Sequence, residues 1–256
     1  MGRTISIHRQ QNETFMSGIA YIFLFLSPLV GALLALFVFK NLKIKSINWS
    51  LLFSGAFLLG IVVVELLPEL FKAKTPLLGI WLLAGFILQV LLELLSKGKE
   101  HGHFHSHEVN KMSLYSITLG LFIHAFIEGL PLSYYANEFQ HDHFIKLPFL
   151  YAIIFHKLFV GLALALFLIQ IKSRRILIIT IMVMFSIMGP LGVLIGENYM
   201  LTIDVQNIIL AIVAGSLLHI GTIILYEQEE GLHHGFSLKK MIILALGFLT
   251  ACLVLI

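Results

Sequence analysis

The chain has 256 residues, of which 59% are hydrophobic and only 12% are charged. Soluble globular domains carry about 25% charged residues, so this composition excludes a water-soluble domain and predicts an all-α, polytopic membrane protein. The formal net charge of +3 does not indicate a nucleic-acid partner, because the basic residues lie in short connections between apolar runs. The single cysteine, Cys252, excludes intrachain disulfides and cysteine-based zinc sites.

Eight apolar runs are long enough to cross the roughly 30 Å of hydrocarbon in a bilayer. In lipid each run must be a helix, because no other open structure satisfies its own backbone hydrogen bonds there. The sequence therefore predicts one transmembrane domain, residues 1–256, with the lipid bilayer as its solvent. The predicted spans are 16–39, 50–68, 76–96, 113–136, 148–171, 176–196, 205–226 and 239–256.

The basic residues are distributed unevenly between the two sides of the predicted membrane domain. Of the 17 Lys and Arg, eleven fall after spans one, three, five and seven, five fall on the opposite side, and Lys157 lies inside span five. Cytoplasmic loops carry the excess of positive charge. We therefore expect both termini to lie outside the cytoplasm, in an integral multi-pass protein of the cell (inner) membrane.

Short similarities connect the first three spans with the last three. Residues 27–31 (SPLVG) of span one are similar to residues 189–192 (GPLG) of span six, and residues 54–58 of span two to residues 214–218 of span seven. A shift of five spans requires the two copies to have opposite topology, an arrangement that is common among transporters. The pattern predicts a 3+2+3 inverted repeat, although chance similarity between glycine-rich apolar helices is the alternative.

The densest group of ionisable residues inside the predicted membrane lies in spans four and five. Such residues are costly in the bilayer and usually functional. His124 and Glu128 are four residues apart, hence on one helix face, and His156 on the next span offers a third ligand. This N,N,O set suits zinc and other late first-row divalent cations. An interhelical hydrogen bond or a proton relay without metal is the alternative.

The connection after span three contains alternating histidines. We expect this loop, residues 97–112, to be cytoplasmic, and its histidines are candidates for a peripheral zinc site. A solvated loop without such a role is the alternative. The histidines are His101, His103, His105 and His107.

Several of these segments resemble one family. Residues 124–129 (HAFIEG) resemble the fourth-span signature of the ZIP family of zinc and iron permeases, and residues 156–157 (HK) its fifth-span signature. Residues 54–69 are similar to the family's second span and residues 189–192 to its sixth. The resemblance implies movement of zinc or related divalent cations into the cytoplasm, and it implies that Glu65 lines the pathway.

The sequence also departs from the family pattern. Some members bind two adjacent metals, but the positions that would complete the second site are Ala125, Lys157, Val160 and Gly189 here. The resemblance therefore implies a single transport site with His124, Glu128 and His156 as ligands. We expect Lys157 to tune that site by offsetting the charge of Glu128 and repelling the bound metal. The alternative is that its ammonium extends away to the membrane interface.

The most favoured function is transport of divalent cations, with zinc ahead of cadmium, iron and manganese as substrate. No ATP-binding loop is visible, and we expect neither an enzyme nor a prosthetic group. Two alternatives stay open: an intramembrane zinc-dependent hydrolase, in which the metal activates water, and a metal sensor without flux. The expected partners are metal ions and the bilayer, with no nucleic acid, and a homodimer is left open.

Overall fold

The computed structural model of the chain describes residues 2–37, 44–73, 75–96, 111–133, 147–199, 203–227 and 238–254. These residues form helices and turns, with no strand among them. The helices are α1 (Gly2–Phe37), α2 (Ile44–Ile61), α3 (Leu67–Lys72), α4 (Leu78–Ser96), α5 (Lys111–Gly129), α6 (Leu147–Gln170), α7 (Arg175–Tyr199), α8 (Ile203–Glu227) and α9 (Leu238–Val254). A π-helical turn, Val62–Leu66, joins α2 to α3 without a break, so the described residues contain eight helical segments.

Five of these segments are long and apolar enough to cross a membrane: Ala20–Phe37, Leu51–Lys72, Pro148–Gln170, Arg175–Tyr199 and Ile203–Leu225. Two shorter apolar helices, Leu78–Leu94 and Leu114–Gly129, accompany them. Many of their large side chains are exposed, as expected where lipid replaces water as the solvent. The prediction of an all-α, polytopic membrane protein is confirmed.

The helices pack in pairs that are far apart along the chain. Helix α1 packs along α6 and α5 along α7, while α4 packs along α8 and α2 along α9. The predicted repeat would exchange spans one to three with spans six to eight, and span four with span five. Under this exchange the α1–α6 pair becomes the α7–α5 pair, and the α4–α8 pair becomes the α9–α2 pair. The pairing is compatible with the predicted inverted repeat, which stays a prediction.

Glycines allow the closest of these helix contacts. A Cβ added to Gly161 on α6 would meet the backbone of Pro28 on α1, and one added to Gly129 on α5 would meet the backbone of Gly189 and Gly192 on α7. Small residues let transmembrane helices approach closely enough for backbone contact. These contacts hold α6 against α1 and α5 against α7, and α5 and α6 are the two helices with the candidate ligands.

The π-helical turn interrupts the second membrane helix just before Pro68. Proline has no N–H and its ring clashes with the carbonyl of the fourth residue before it, so a regular α-helix is disfavoured at this point. One extra residue per turn absorbs the conflict without ending the helix. Glu65 lies within this turn and is buried.

The buried apolar residues form two clusters. Leu121 on α5 belongs to one cluster, and Leu132, just beyond the end of α5, belongs to the other. Ile153 and Leu162 on α6 are divided between the two clusters in the same way. The ionisable residues of spans four and five lie between these positions along the chain in both spans. They therefore form a polar layer between two apolar clusters.

Candidate metal centre

The side chains of His124, Glu128 and His156 meet in the polar layer. Nε2 of His124 lies 3.0 Å from Oε1 of Glu128, and Nε2 of His156 lies 3.7 Å from the same oxygen. One ligand atom from each of the three residues lies within 4.8 Å of the others. Two atoms bonded to a tetrahedral zinc at about 2.0–2.1 Å are about 3.4 Å apart, so these separations suit one ion shared by three ligands.

The three side chains are almost completely shielded. His124 is 4% exposed, and Glu128 and His156 are each 2% exposed. Burial of ionisable groups in a low-dielectric interior is costly unless each charge is compensated. A set of two imidazoles and one carboxylate fits a borderline divalent cation chemically, and a bound cation would offset the carboxylate charge.

Lys157 contacts the far side of the same carboxylate. Its Nζ lies 3.1 Å from Oε2 of Glu128 and donates a 3.2 Å hydrogen bond to the carbonyl oxygen of Ala125. The ammonium also lies 5.7 Å from the ring centroid of Phe185, within the range of a cation–π contact. Lys157 is 2% exposed, so the alternative in which its ammonium extends to the membrane interface is wrong.

Ser54 of α2 also approaches the centre, although the sequence analysis assigned it no role there. Its Oγ lies 3.5 Å from Nδ1 of His156, the ring nitrogen on the opposite side from Glu128. When Nδ1 carries the proton and donates a hydrogen bond to Oγ of Ser54, Nε2 keeps its lone pair for a metal. Such second contacts commonly orient a ligating histidine. A serine inside a predicted membrane span was the available sequence signal.

Glu65 is buried but does not join the three-residue group. It is 5% exposed, and neither of its carboxylate oxygens has a hydrogen-bond partner among the described residues. On the same helix face, Ser54, Leu58 and Ile61 precede it at helical spacing and are also buried. Glu65 therefore lies about three turns along the helix from the serine that contacts His156.

The remaining predicted site residues lie outside the residues that the structure describes. His101, His103, His105 and His107 belong to the undescribed segment 97–110. A role for them in zinc binding stays a prediction.

A second polar cluster joins α4 to α8. Nε2 of His219 lies 2.7 Å from Oε2 of Glu93, and Oγ of Ser216 donates a 2.9 Å hydrogen bond to Oε1 of Gln89. The ring of Phe86 packs edge-on against the imidazole of His219. His219 thus makes an interhelical hydrogen bond, the structural role that an intramembrane histidine has by default.

Comparisons with known proteins agree with this architecture. The family model for the ZIP zinc transporters matches residues 93–255, a segment that contains all three candidate ligands. Zinc transporter 5 from Oryza sativa subsp. japonica is 25% identical over 158 residues, which cover 53% of this chain and 43% of the rice protein. The matched segment thus spans less than half of that relative. The resemblance found in the sequence is confirmed: the chain belongs to the ZIP zinc transporter family.

Proposed function

We propose that the chain carries divalent metal cations across the membrane through a single site formed by His124, Glu128 and His156. The convergence of two imidazole nitrogens and one carboxylate oxygen in a buried layer is the observation that supports this function best. The family match supports it independently. Because this family consists of transporters, the prediction that the chain is not an enzyme is confirmed, and the hydrolase alternative is dropped.

Zinc is the proposed substrate, with cadmium, iron and manganese as weaker competitors. Two nitrogen ligands and one oxygen ligand suit a borderline ion better than hard ions that prefer all-oxygen sites. The name of the rice relative, Zinc transporter 5, supports the same choice. Three protein ligands leave a fourth tetrahedral position to water, which allows the ion to exchange instead of remaining locked in a closed structural site.

The proposed direction is uptake into the cytoplasm across the cell (inner) membrane, with both chain termini on the outer side. The distribution of Lys and Arg supports this orientation. Inward movement of one divalent cation gains about 4.6 kcal/mol per 100 mV of membrane potential, since each charge contributes about 2.3 kcal/mol. The membrane potential is therefore a sufficient driving force without ATP.

Glu65 is proposed to line the pathway between the outer surface and the site. Its buried carboxylate has no hydrogen-bond partner among the described residues, and it lies on the helix face that leads to Ser54. A passing cation would supply the compensation that this carboxylate lacks. The contact with the ion would be transient, because Glu65 does not belong to the three-residue group.

Zinc flux into proteoliposomes tests the proposed function. Wild-type protein should admit zinc to vesicles that contain a zinc-sensitive dye, whereas H124A, E128A and H156A should each lower the initial rate at least tenfold. The matched control is H219A, which removes another buried intramembrane imidazole but one that bonds Glu93; it should keep the wild-type rate within threefold. Zinc binding by the wild type without any flux would favour the sensor alternative and reject transport.

A further inference from the structure

The two carboxylate oxygens of Glu128 face different partners. Oε1 lies 3.0 Å from Nε2 of His124 and 3.7 Å from Nε2 of His156, whereas Oε2 lies 3.1 Å from Nζ of Lys157. Only Oε1 is therefore directed to the position that the two imidazoles share. A divalent cation between the histidines would bind this carboxylate through one oxygen, while the ammonium keeps the other.

The ammonium of Lys157 is fixed from several sides. The carbonyl oxygen of Ala125 accepts its hydrogen bond at 3.2 Å, and Phe185 presents its ring to the charge. Position 189 on the facing helix α7 is glycine, where an added Cβ would lie 3.2 Å from Cε and 3.4 Å from Nζ of Lys157. The absence of a side chain at Gly189 thus leaves the space in which the end of Lys157 lies.

These contacts set the charge of the site. With both imidazoles neutral, the single negative charge of Glu128 and the single positive charge of Lys157 cancel, so the layer without metal carries no net charge. With one divalent cation bound, the same layer carries two positive charges. A second divalent cation on the Oε2 side would have to displace or closely approach the ammonium, which electrostatic repulsion opposes.

We propose that Lys157 is a counter-ion, part of the chain itself, that lets the metal-free carrier return to the orientation in which it binds external metal. This proposal rests on the transport function proposed above. A carrier that completes net uptake must change its orientation twice, once loaded and once empty. In the empty step, moving an unpaired carboxylate through a low-dielectric region would be costly. The ammonium of Lys157, which moves with Glu128, removes this cost. In the loaded step the metal compensates the carboxylate whether or not the ammonium is present, so the loaded step does not require Lys157.

A counter-ion for the empty step would affect two modes of transport differently, whereas a lysine with a structural role alone would affect them equally. Net zinc uptake requires the empty carrier to return, whereas exchange of external isotopic zinc for unlabelled internal zinc uses only the loaded carrier. Both modes can be measured on the same proteoliposomes, so their ratio is independent of the amount of folded protein. Removing the counter-ion should therefore slow net uptake much more than exchange.

The test compares K157M with the wild type in both modes. The expected result is at least a tenfold fall in the ratio of net uptake to exchange, with exchange retained within threefold. K157R, which keeps a positive charge, should keep the wild-type ratio within threefold. The matched control K240M removes another buried lysine, on α9 (5% exposed), and should leave the ratio unchanged.

Each other outcome overturns the proposal. An unchanged ratio in K157M, or equal loss of both modes, shows that Lys157 does not serve the empty step, and a fallen ratio in K157R shows that its charge is not the cause. In these cases wild-type transport would still stand. Failure of the wild type to move zinc in either mode would instead reject the proposed function itself.

Discussion

Nε2 of His124 and Oε1 of Glu128 are 3.0 Å apart, one helical turn from each other on α5. The same carboxylate contacts the ammonium of Lys157 through its second oxygen. Glu128 therefore has two partners, the proposed metal ligand His124 on its own helix and the ammonium of Lys157 on α6. We therefore expect both the stability of the protein and the proposed metal binding to depend on the charge of Glu128.

E128Q should destabilise the protein and abolish zinc transport, whereas the double variant E128Q/K157M should recover most of the stability without recovering transport. Removing one member of a buried ion pair costs about 3–5 kcal/mol because the other charge is left uncompensated, while replacing both with uncharged side chains is often neutral. Thermal unfolding in detergent measures the first effect and proteoliposome flux the second. A double variant no more stable than E128Q would contradict the ion pair.

The sequence predicted the helices and much of the candidate site because both depend on local patterns. Long apolar runs predict membrane helices, and the four-residue spacing of His124 and Glu128 predicts that they share a helix face. His156 was predicted from the density of ionisable residues in two neighbouring spans. The structure brings this side chain to Oε1 of Glu128.

Contacts that depend on helix register were beyond the sequence. His156 and Lys157 are adjacent and therefore about 100° apart around α6, so the pattern did not decide whether Lys157 extends toward Glu128 or toward the membrane interface. Its flexible four-carbon chain lets it reach Glu128 as well. The approach of Ser54 depends on how α2 packs against α6. The π-helical turn was also missed, because hydropathy does not encode the hydrogen-bond register of a helix.

S54A should weaken zinc affinity about tenfold while leaving the maximal transport rate within threefold. The serine does not belong to the ligand group but contacts the outer nitrogen of His156, and loss of such a contact typically lowers metal affinity about 10–100-fold. The zinc concentration dependence of the initial flux separates the two parameters. S216A removes another buried serine, one that bonds Gln89, and should leave zinc affinity unchanged. If S54A matches the wild type in affinity, the serine does not orient the imidazole.

G161A should destabilise the packing of α1 against α6. An added Cβ would meet the backbone of Pro28, which cannot move aside without shifting the helix, and tightly packed cores tolerate such insertions poorly, with a cost of about 1–3 kcal/mol. We expect a lower unfolding temperature in detergent and slower zinc flux, because α6 carries His156.

The matched control for this packing test is G79A. No atom lies within 4 Å of a Cβ added at Gly79, and the position is exposed near the start of α4. G79A should keep the wild-type unfolding temperature. Equal unfolding temperatures for G161A and G79A would show that the backbone contact with Pro28 is not limiting.

E65L should raise stability and lower zinc uptake, two effects of opposite sign from one substitution. Both oxygens of Glu65 are buried without a hydrogen-bond partner among the described residues, and such a group costs about 1–3 kcal/mol. This cost has no purpose for a residue that only packs, but it is expected for a carboxylate that contacts cations as they pass. Unfolding temperature and initial flux, measured on the same preparation, test the two signs together.

The neighbouring carboxylate provides the control for this last prediction. Glu69 lies one turn further along the same helical segment, where it is partly exposed and 3.9 Å from the ammonium of Lys72. Exposed pairs of this kind contribute about 0–1 kcal/mol, so E69L should change stability little and leave zinc uptake within twofold. If E65L stabilises the protein without slowing uptake, Glu65 lies off the pathway; if it destabilises, its carboxylate has a stabilising role in the folded helix bundle.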